Sequence, residues 1–190
     1  DNGARIRERL DIESVLRGHF PEIEKISYRM HHECHLASTY FPSGFDRALV
    51  ISLDGIGEIS SGLTAIGKKG KLEVFGPENR FPNSLGLLYS AVTHFLGWKH
   101  HCDEGIVMGL ATFGDPAARV PGDGRSYIEV FRSIVGEKSP LEYEVNTDWI
   151  AYHRVRDKWV SDQFEQVFGR KRKSESPISD HHRHIAAALQ

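Results

Sequence analysis

The chain has 190 residues, with 24 Lys and Arg against 26 Asp and Glu for a formal charge of -2; 39% of its residues are hydrophobic and 26% charged. This balance suits one globular domain, excludes a disordered chain, and gives no overall reason for nucleic acid or an anionic membrane as partner. No apolar run approaches the ~18 residues of a membrane span, and residues 1–16 are too charged for a secretory signal; Cys34 and Cys102 suit free thiols in a reducing compartment, so a soluble cytoplasmic protein is expected.

In chain order, DIESVL (residues 11–16) predicts a short helix, and EKISYRM (24–30) reads as a short strand. HHECHLASTYF (31–41) then predicts a helix that Pro42 and Gly44 end. RALVISLDGIG (47–57) is a β-branched strand, and EISSGLTAIGKKGKLEVFG (58–76) adds two strand-like runs split by KKGK, giving a three-stranded meander. FPNSLGLLYSAVTHFLGW (81–98) predicts a helix capped by Asn83 or Ser84 and closed by Gly97, with Leu87, Leu88, Ala91, Phe95 and Leu96 as its apolar stripe.

CDEGIVMGLATFGDP (102–116) suits a buried loop or short helix. YIEVFRSIV (127–135) and residues 148–168 are amphipathic helix candidates, and GRKRKSESPISD (169–180) is a flexible, charged connection. HHRH (His181 to His184) reads as solvated surface, and HIAAALQ has helical character. Residues 28–116 thus form an α/β core and 117–190 a mainly helical region. A start without methionine and an end without a helix-terminating signal predict that the chain is an excerpt.

The histidines carry the chemical signal. On a helix, His31 and His35 at i and i+4 share a face, while His32 and Glu33 turn aside. Two imidazoles suit zinc, iron, nickel or copper. HECH does not meet the H-E-x-x-H peptidase motif, because Glu33 stands two residues from His35. A third ligand has to come from another element; Asp54, ending an apolar strand, is the best candidate. The alternative is that the histidines only cap a helix or satisfy carbonyls. DGIGE offers Gly55 and Gly57 for a phosphate cradle or for an ordinary hairpin turn, and NSLG opens a helix at a second anion-compatible position.

HHECHLAS, ALVISLDGIGE, SLGLLYSAVTHFLGW and EGIVMGLATFGDP, in that order, resemble the O-carbamoyltransferases of the NodU/NolO/TobZ/CmcH type, of nodulation and antibiotic biosynthesis. The match covers roughly residues 29–116. The resemblance implies an α/β fold of the RNase H-like, actin and sugar-kinase type, of which this chain is a partial lobe: a three-stranded meander, a following helix and a helical insertion. It implies a metal, iron by preference and zinc as alternative, on His31, His35 and Asp54, and it places Gly55, Gly57 and Ser84 near nucleotide phosphates. It also implies ATP and carbamoyl phosphate as substrates, carbamoyl-adenylate formed in a YrdC-like domain of the same full-length chain, and transfer to a hydroxylated acceptor; no catalytic side chain is assigned.

Some features depart from the family pattern: HLASTYF stands for HAASAF, PSGF for SPF, and Ile106 for a lysine, while Cys34 is either a packing residue or a soft accessory ligand. The family's histidine-aspartate motif, later adenosine motif, further metal-binding aspartate and YrdC-like domain are absent from these residues, which predicts little turnover by the chain alone. Two other readings are a kinase or ATPase of the same fold, which would use Mg²⁺ and a carboxylate base, and a non-catalytic metal- or nucleotide-binding module. RKRK (Arg170 to Lys173) reads as a solvated loop. Trp149, Tyr152, Trp159 and Phe164 serve either helix packing or an acceptor surface.

Overall fold

The computed structural model describes residues 11–190. They fall into two units, divided between Met30 and His31. The first holds α1 (Ile12–His19), none of whose residues is buried. Asp11 stands at its N-cap without a capping bond from its side chain, and Arg17 donates to Ile23 O at 2.7 Å. The strand expected over 24–30 does not form: the segment has no ladder partner and runs on as irregular chain. Its apolar and aromatic residues supplied β-propensity but no strand to pair with, and propensity alone makes no ladder.

The second unit opens with α2 (His31–Tyr40), ended by a 3₁₀ turn at Phe41–Ser43 and by Gly44 in the left-handed region, φ 75°. The sheet follows as β1 (Arg47–Gly57), β2 (Ser60–Lys68) and β3 (Lys71–Val74), antiparallel in that order, with β4 (Asn79–Arg80) on β2. Period-two alternation sends Val50 of β1 and Ala65 of β2 inward against Leu36 and Tyr40 of α2, a small core of their own. Gly67 is required there: a Cβ would overlap the Tyr40 ring. Leu49, Ile51 and Leu53, on the opposite face of β1, are exposed.

The larger core is helical. It joins α3 (Leu85–Phe95), α4 (Glu104–Ala111), α5 (Tyr127–Ile134), α6 (Asp162–Phe168) and α7 (Asp180–Leu189). Ser84 caps α3 by accepting from Leu87 N, Ser126 and Glu129 form a reciprocal capping box on α5, and Ser161 caps α6. Phe164 lies at the centre, edge-on to Phe95 at 4.9 Å and 4.6 Å from Phe168 between ring centroids. Among the described residues no helix is long and apolar enough to cross a membrane.

Four expectations for the second half need correction. A hairpin, β5 (Val135–Ser139) and β6 (Glu142–Val145), follows α5 where no strand was expected. Within 148–168 only α6 is helical; Trp149 and Ile150 are buried, but Ile150 bridges Val160, so the chain between them is a loop. The segment 169–180 is not a loose connection, for Arg172 is buried, donating to Leu96 O, Ser174 O and Ser176 O with its guanidinium 4.6 Å over Trp98. The histidine tail is docked rather than solvated: His181 Nε2 donates to Phe168 O at 2.8 Å while Nδ1 accepts from the Tyr127 hydroxyl, and His184 Nδ1 accepts from Asp115 N at 2.8 Å. In α4 only Val107 is buried, and Ile106 and Met108 face outward.

Candidate metal centre

The centre lies where the first turns of α2 cross the end of β1. Helical geometry puts His31 and His35 on one face. Alternation carries Asp54 onto the α2 face after Val50 and Ser52, with its carboxylate pointing at both rings, and an irregularity between Leu53 and Gly57 then breaks the register of β1. His31 Nε2 lies 2.8 Å and His35 Nε2 3.2 Å from Asp54 Oδ2, and the two nitrogens are 2.9 Å apart. The other oxygen, Oδ1, accepts from Gly55 N at 2.7 Å, which fixes the carboxylate plane. The bond from His31, ahead of the partial burial that opposes it, holds the Asp54 pKa below its ordinary value.

The geometry fits a cation better than it fits protons. Each Nε2 offers either one hydrogen or one lone pair in the ring plane, so the three mutual contacts cannot all be hydrogen bonds. If His35 donates to both neighbours, a bare His31 nitrogen faces a carboxylate oxygen with nothing between them. One ion satisfies all three lone pairs: donors about 2.1 Å from it and roughly 90–110° apart are separated by about 3.0–3.4 Å, close to the three distances found. Among the described residues this is the one group of His, Cys, Asp or Glu with that convergence. Cys34 and Glu33 are exposed and outside the group, so Cys34 is neither a packing residue nor a partner in this cluster.

His32 does not simply turn aside. It is buried with Leu36 and Tyr40, and the i, i+4, i+8 spacing of those three was a signal in the sequence for the packed face of α2. Its Nε2 donates to Ser60 O at 3.0 Å, which leaves Nδ1 to accept from the Ser52 hydroxyl at 2.7 Å; burial lowers its pKa and favours this neutral ring. Two glycines admit the close approaches around the centre. A Cβ on Gly57 would overlap His31, and one on Gly86 would come within 2.5 Å of the Asp54 and Gly55 backbone.

A cavity of ≈ 740 Å³ opens beside Asp54 and Gly55, with Tyr89, Ser90, His101 and Glu104 on its far wall. Glu104 accepts from Ser90 Oγ at 2.5 Å and from His101 N at 2.6 Å; these bonds outweigh the burial that raises its pKa and hold it below its ordinary value. His101 is held at φ 60°, in the left-handed region. None of this wall was read from the sequence, because Ser90 and Glu104 sit on separate helices and nothing local links them. Gly55 lines the cavity. Gly57 instead lies under His31, and Ser84 is fully buried, its hydroxyl held by Asp54 O and Gly55 O while accepting from Leu87 N.

The Carbamoyltransferase N-terminus family matches residues 7–190. Among curated proteins, an uncharacterized protein of Synechocystis is 31% identical over 98% of this chain and 30% of its own length. Nodulation protein NolNO of Sinorhizobium fredii is 32% identical over 87% of this chain and 21% of its own length, and Nodulation protein NolO of Bradyrhizobium diazoefficiens is 34% identical over 84% and 25%. The chain thus spans less than a third of each of these relatives. With a match that runs from residue 7 to residue 190, the chain belongs to the carbamoyltransferase family, in the part described as its N-terminus.

Proposed function

We propose that this chain holds a divalent transition metal on His31, His35 and Asp54 and is part of an ATP-dependent O-carbamoyltransferase, which moves a carbamoyl group from carbamoyl phosphate through carbamoyl-adenylate to a hydroxyl. The observation that carries the reading is the three donor atoms within 2.8–3.2 Å of one another at the end of β1, in a chain of the carbamoyltransferase family. Iron is favoured by the family resemblance, and zinc suits the same donors. When bound, such an ion supplies Lewis acidity toward a carbonyl oxygen.

The protein groups divide the remaining work. Asp54 and the two imidazoles would hold the ion beside the cavity, and Gly55 would let a substrate approach the backbone without a side chain between. The ≈ 740 Å³ of that cavity suits a nucleotide-sized ligand, with the hydrogen-bonded Ser90 and Glu104 available to its hydroxyls. The antiparallel meander with α3 crossing its end supports the reading as a partial RNase H-like lobe, and the YrdC-like domain that would form carbamoyl-adenylate belongs to the remainder of the full-length protein. A kinase of the same fold would carry Mg²⁺ on oxygen donors, and the paired imidazoles speak against it.

The test uses the intact protein, with metal analysis and a carbamoyl-transfer assay run on parent, His31→Ala and His35→Ala. One ion per chain in the parent, its loss in both variants and a fall in transfer of at least a hundredfold are expected. Variants that keep both the ion and the activity overturn the reading.

A further inference from the structure

The last turn of α3, which carries His94, meets the charged segment that follows α6. Arg172 N donates to Phe95 O at 2.9 Å and its guanidinium to Leu96 O, so the segment is clamped to the C-terminal carbonyls of that helix. The amine of Lys171, one residue earlier, turns instead to His94. Nζ lies 2.7 Å from Nε2 and 3.4 Å from Nδ1 of the ring.

This contact sets Lys171 apart. Lys138 and Lys158 face the carboxylates of Glu142 and Asp162, whereas among the described residues Lys171 makes no ion pair. His100 stands edge-on to His94, 5.3 Å between ring centroids. Burial, then the neighbouring His101, lowers the His100 pKa, with Lys171 and Lys99 adding to the effect and Glu104 opposing it. The charged groups that act on this corner are therefore Lys99, His101 and Glu104.

The pair itself is poised for proton exchange. Burial lowers the pKa of Lys171, and burial ahead of the Lys171 charge lowers that of His94 to about 4. At neutral pH an uncharged ring thus faces an amine that gives up its proton more readily than a fully hydrated one. The 2.7 Å contact is within reach of a general base. Lys171 as a whole residue is exposed, which leaves a path for a small molecule. An amine in contact with a neutral base, with no carboxylate to hold its charge, is a nucleophile. The reaction that needs least from its surroundings is addition without a leaving group, and isocyanic acid reacts in that way.

We infer that Lys171 is a carbamoylation site, at which the amine held by His94 adds isocyanic acid. The bond from Nζ to carbon forms as the C=N π pair withdraws to the isocyanate nitrogen, and that nitrogen receives the proton the amine gives up, relayed by His94 Nε2. The product is a urea; nothing leaves, and no group is oxidised or reduced. The urea carries no charge, so Lys171 ceases to lower the pKa of His94. Carbamoyl phosphate releases isocyanic acid in water and supplies it here; that origin alone rests on the carbamoyl-transfer reading.

The test treats the intact protein with potassium cyanate near neutral pH, and separately with carbamoyl phosphate, and follows Lys171, Lys99 and Lys173 by mass spectrometry of peptides cut at glutamate. Lys171 is expected to gain the mass of isocyanic acid at least about threefold faster than the exposed Lys99 and Lys173. His94→Gln should bring Lys171 down to their rate without altering theirs, and those unaltered rates report that the variant folds. In the parent, the rate at Lys171 should level off at a lower pH than that at Lys173, and by NMR His94 should titrate higher in the modified protein. Equal rates at the three lysines, a lead that survives His94→Gln, or an unmoved His94 titration overturns the proposal. Modification by cyanate but not by carbamoyl phosphate keeps the site and removes that source. The expected pattern in a protein that transfers no carbamoyl group keeps the site and removes the transfer reading; transfer without the pattern does the reverse.

Discussion

Replacing His32 by leucine tests how α2 is fixed to the sheet. The exchange removes the bonds to Ser60 O and to the Ser52 hydroxyl at a side chain that is 1% exposed, leaving both groups without a partner away from water. Each orphaned group costs about 1–3 kcal/mol, and the larger apolar burial of leucine returns about 1 kcal/mol. The net loss expected for His32→Leu is therefore roughly 1–5 kcal/mol, a large share of a typical folding free energy of about 5–15 kcal/mol. Ser52→Ala, which orphans only Nδ1, costs about 1 kcal/mol, and the double variant falls short of the sum because the two exchanges remove the same bond. Urea unfolding measures the stability, and the visible spectrum of bound Co²⁺ reports whether His31 and His35 keep their geometry. If His32→Leu unfolds within 0.5 kcal/mol of the parent, taking ~0.5 kcal/mol as the usual effect of a surface exchange, the argument that these two bonds anchor α2 is wrong.

Gly57→Ala is expected to push the His31 ring off the end of β1, since the new Cβ overlaps it; Zn²⁺ affinity measured by competition with a chelator should fall at least tenfold, and an unchanged affinity refutes the close approach. Burial, followed by the charge of Lys171 and the neighbouring His100, lowers the pKa of His94 to about 4. An unfolded histidine titrates near ~6.5, so between about 4 and 6.5 the unfolded chain binds the extra proton. Stability from this group is thus complete above pH 6.5 and declines as pH falls toward 4. Thermal unfolding from pH 4 to 7.5 should show that slope, His94→Gln should flatten it, and an imidazole that titrates at its ordinary value by NMR rules it out.

What the sequence made legible was local. Helical spacing placed His31 with His35, though the same spacing in His32, Leu36 and Tyr40 went unread as the buried face; β-branched apolar runs gave the meander, and the Ser84 cap and Gly97 bounded α3. What stayed hidden depends on contacts between distant residues. The helix expected over 148–168 has the right composition, but Ile150 pairs with Val160, and that pairing together with the fit of Trp149 into the helical core overrides helical propensity through the loop. Arg172 sits in a run that reads as charged surface; the carbonyl of Leu96 and the ring of Trp98 that bury it lie more than seventy residues away. The docking of α7 is of the same kind, since the close approach of Gly114 to the Arg183 backbone has no trace in either local pattern.

The end of β1 shows how one local irregularity serves several sites. In a regular strand Asp54 and Ile56 would share a face and Gly55 would lie opposite both. The bulge between Leu53 and Gly57 releases that constraint. Asp54 keeps the α2 face of Val50 and Ser52, Gly55 lines the ≈ 740 Å³ cavity, and Ile56 leaves that face to line a cleft of ≈ 320 Å³, while Gly57 lies against His31 in its place. α3 holds the bulge from beneath: Gly86 lies against its backbone, and the Ser84 hydroxyl binds its carbonyls. The cavity and the cleft therefore open onto adjoining residues of one stretch of backbone, with the Asp54 carboxylate beside them. The conformation of residues 54–57, rather than any one side chain, is thus the feature that positions all three.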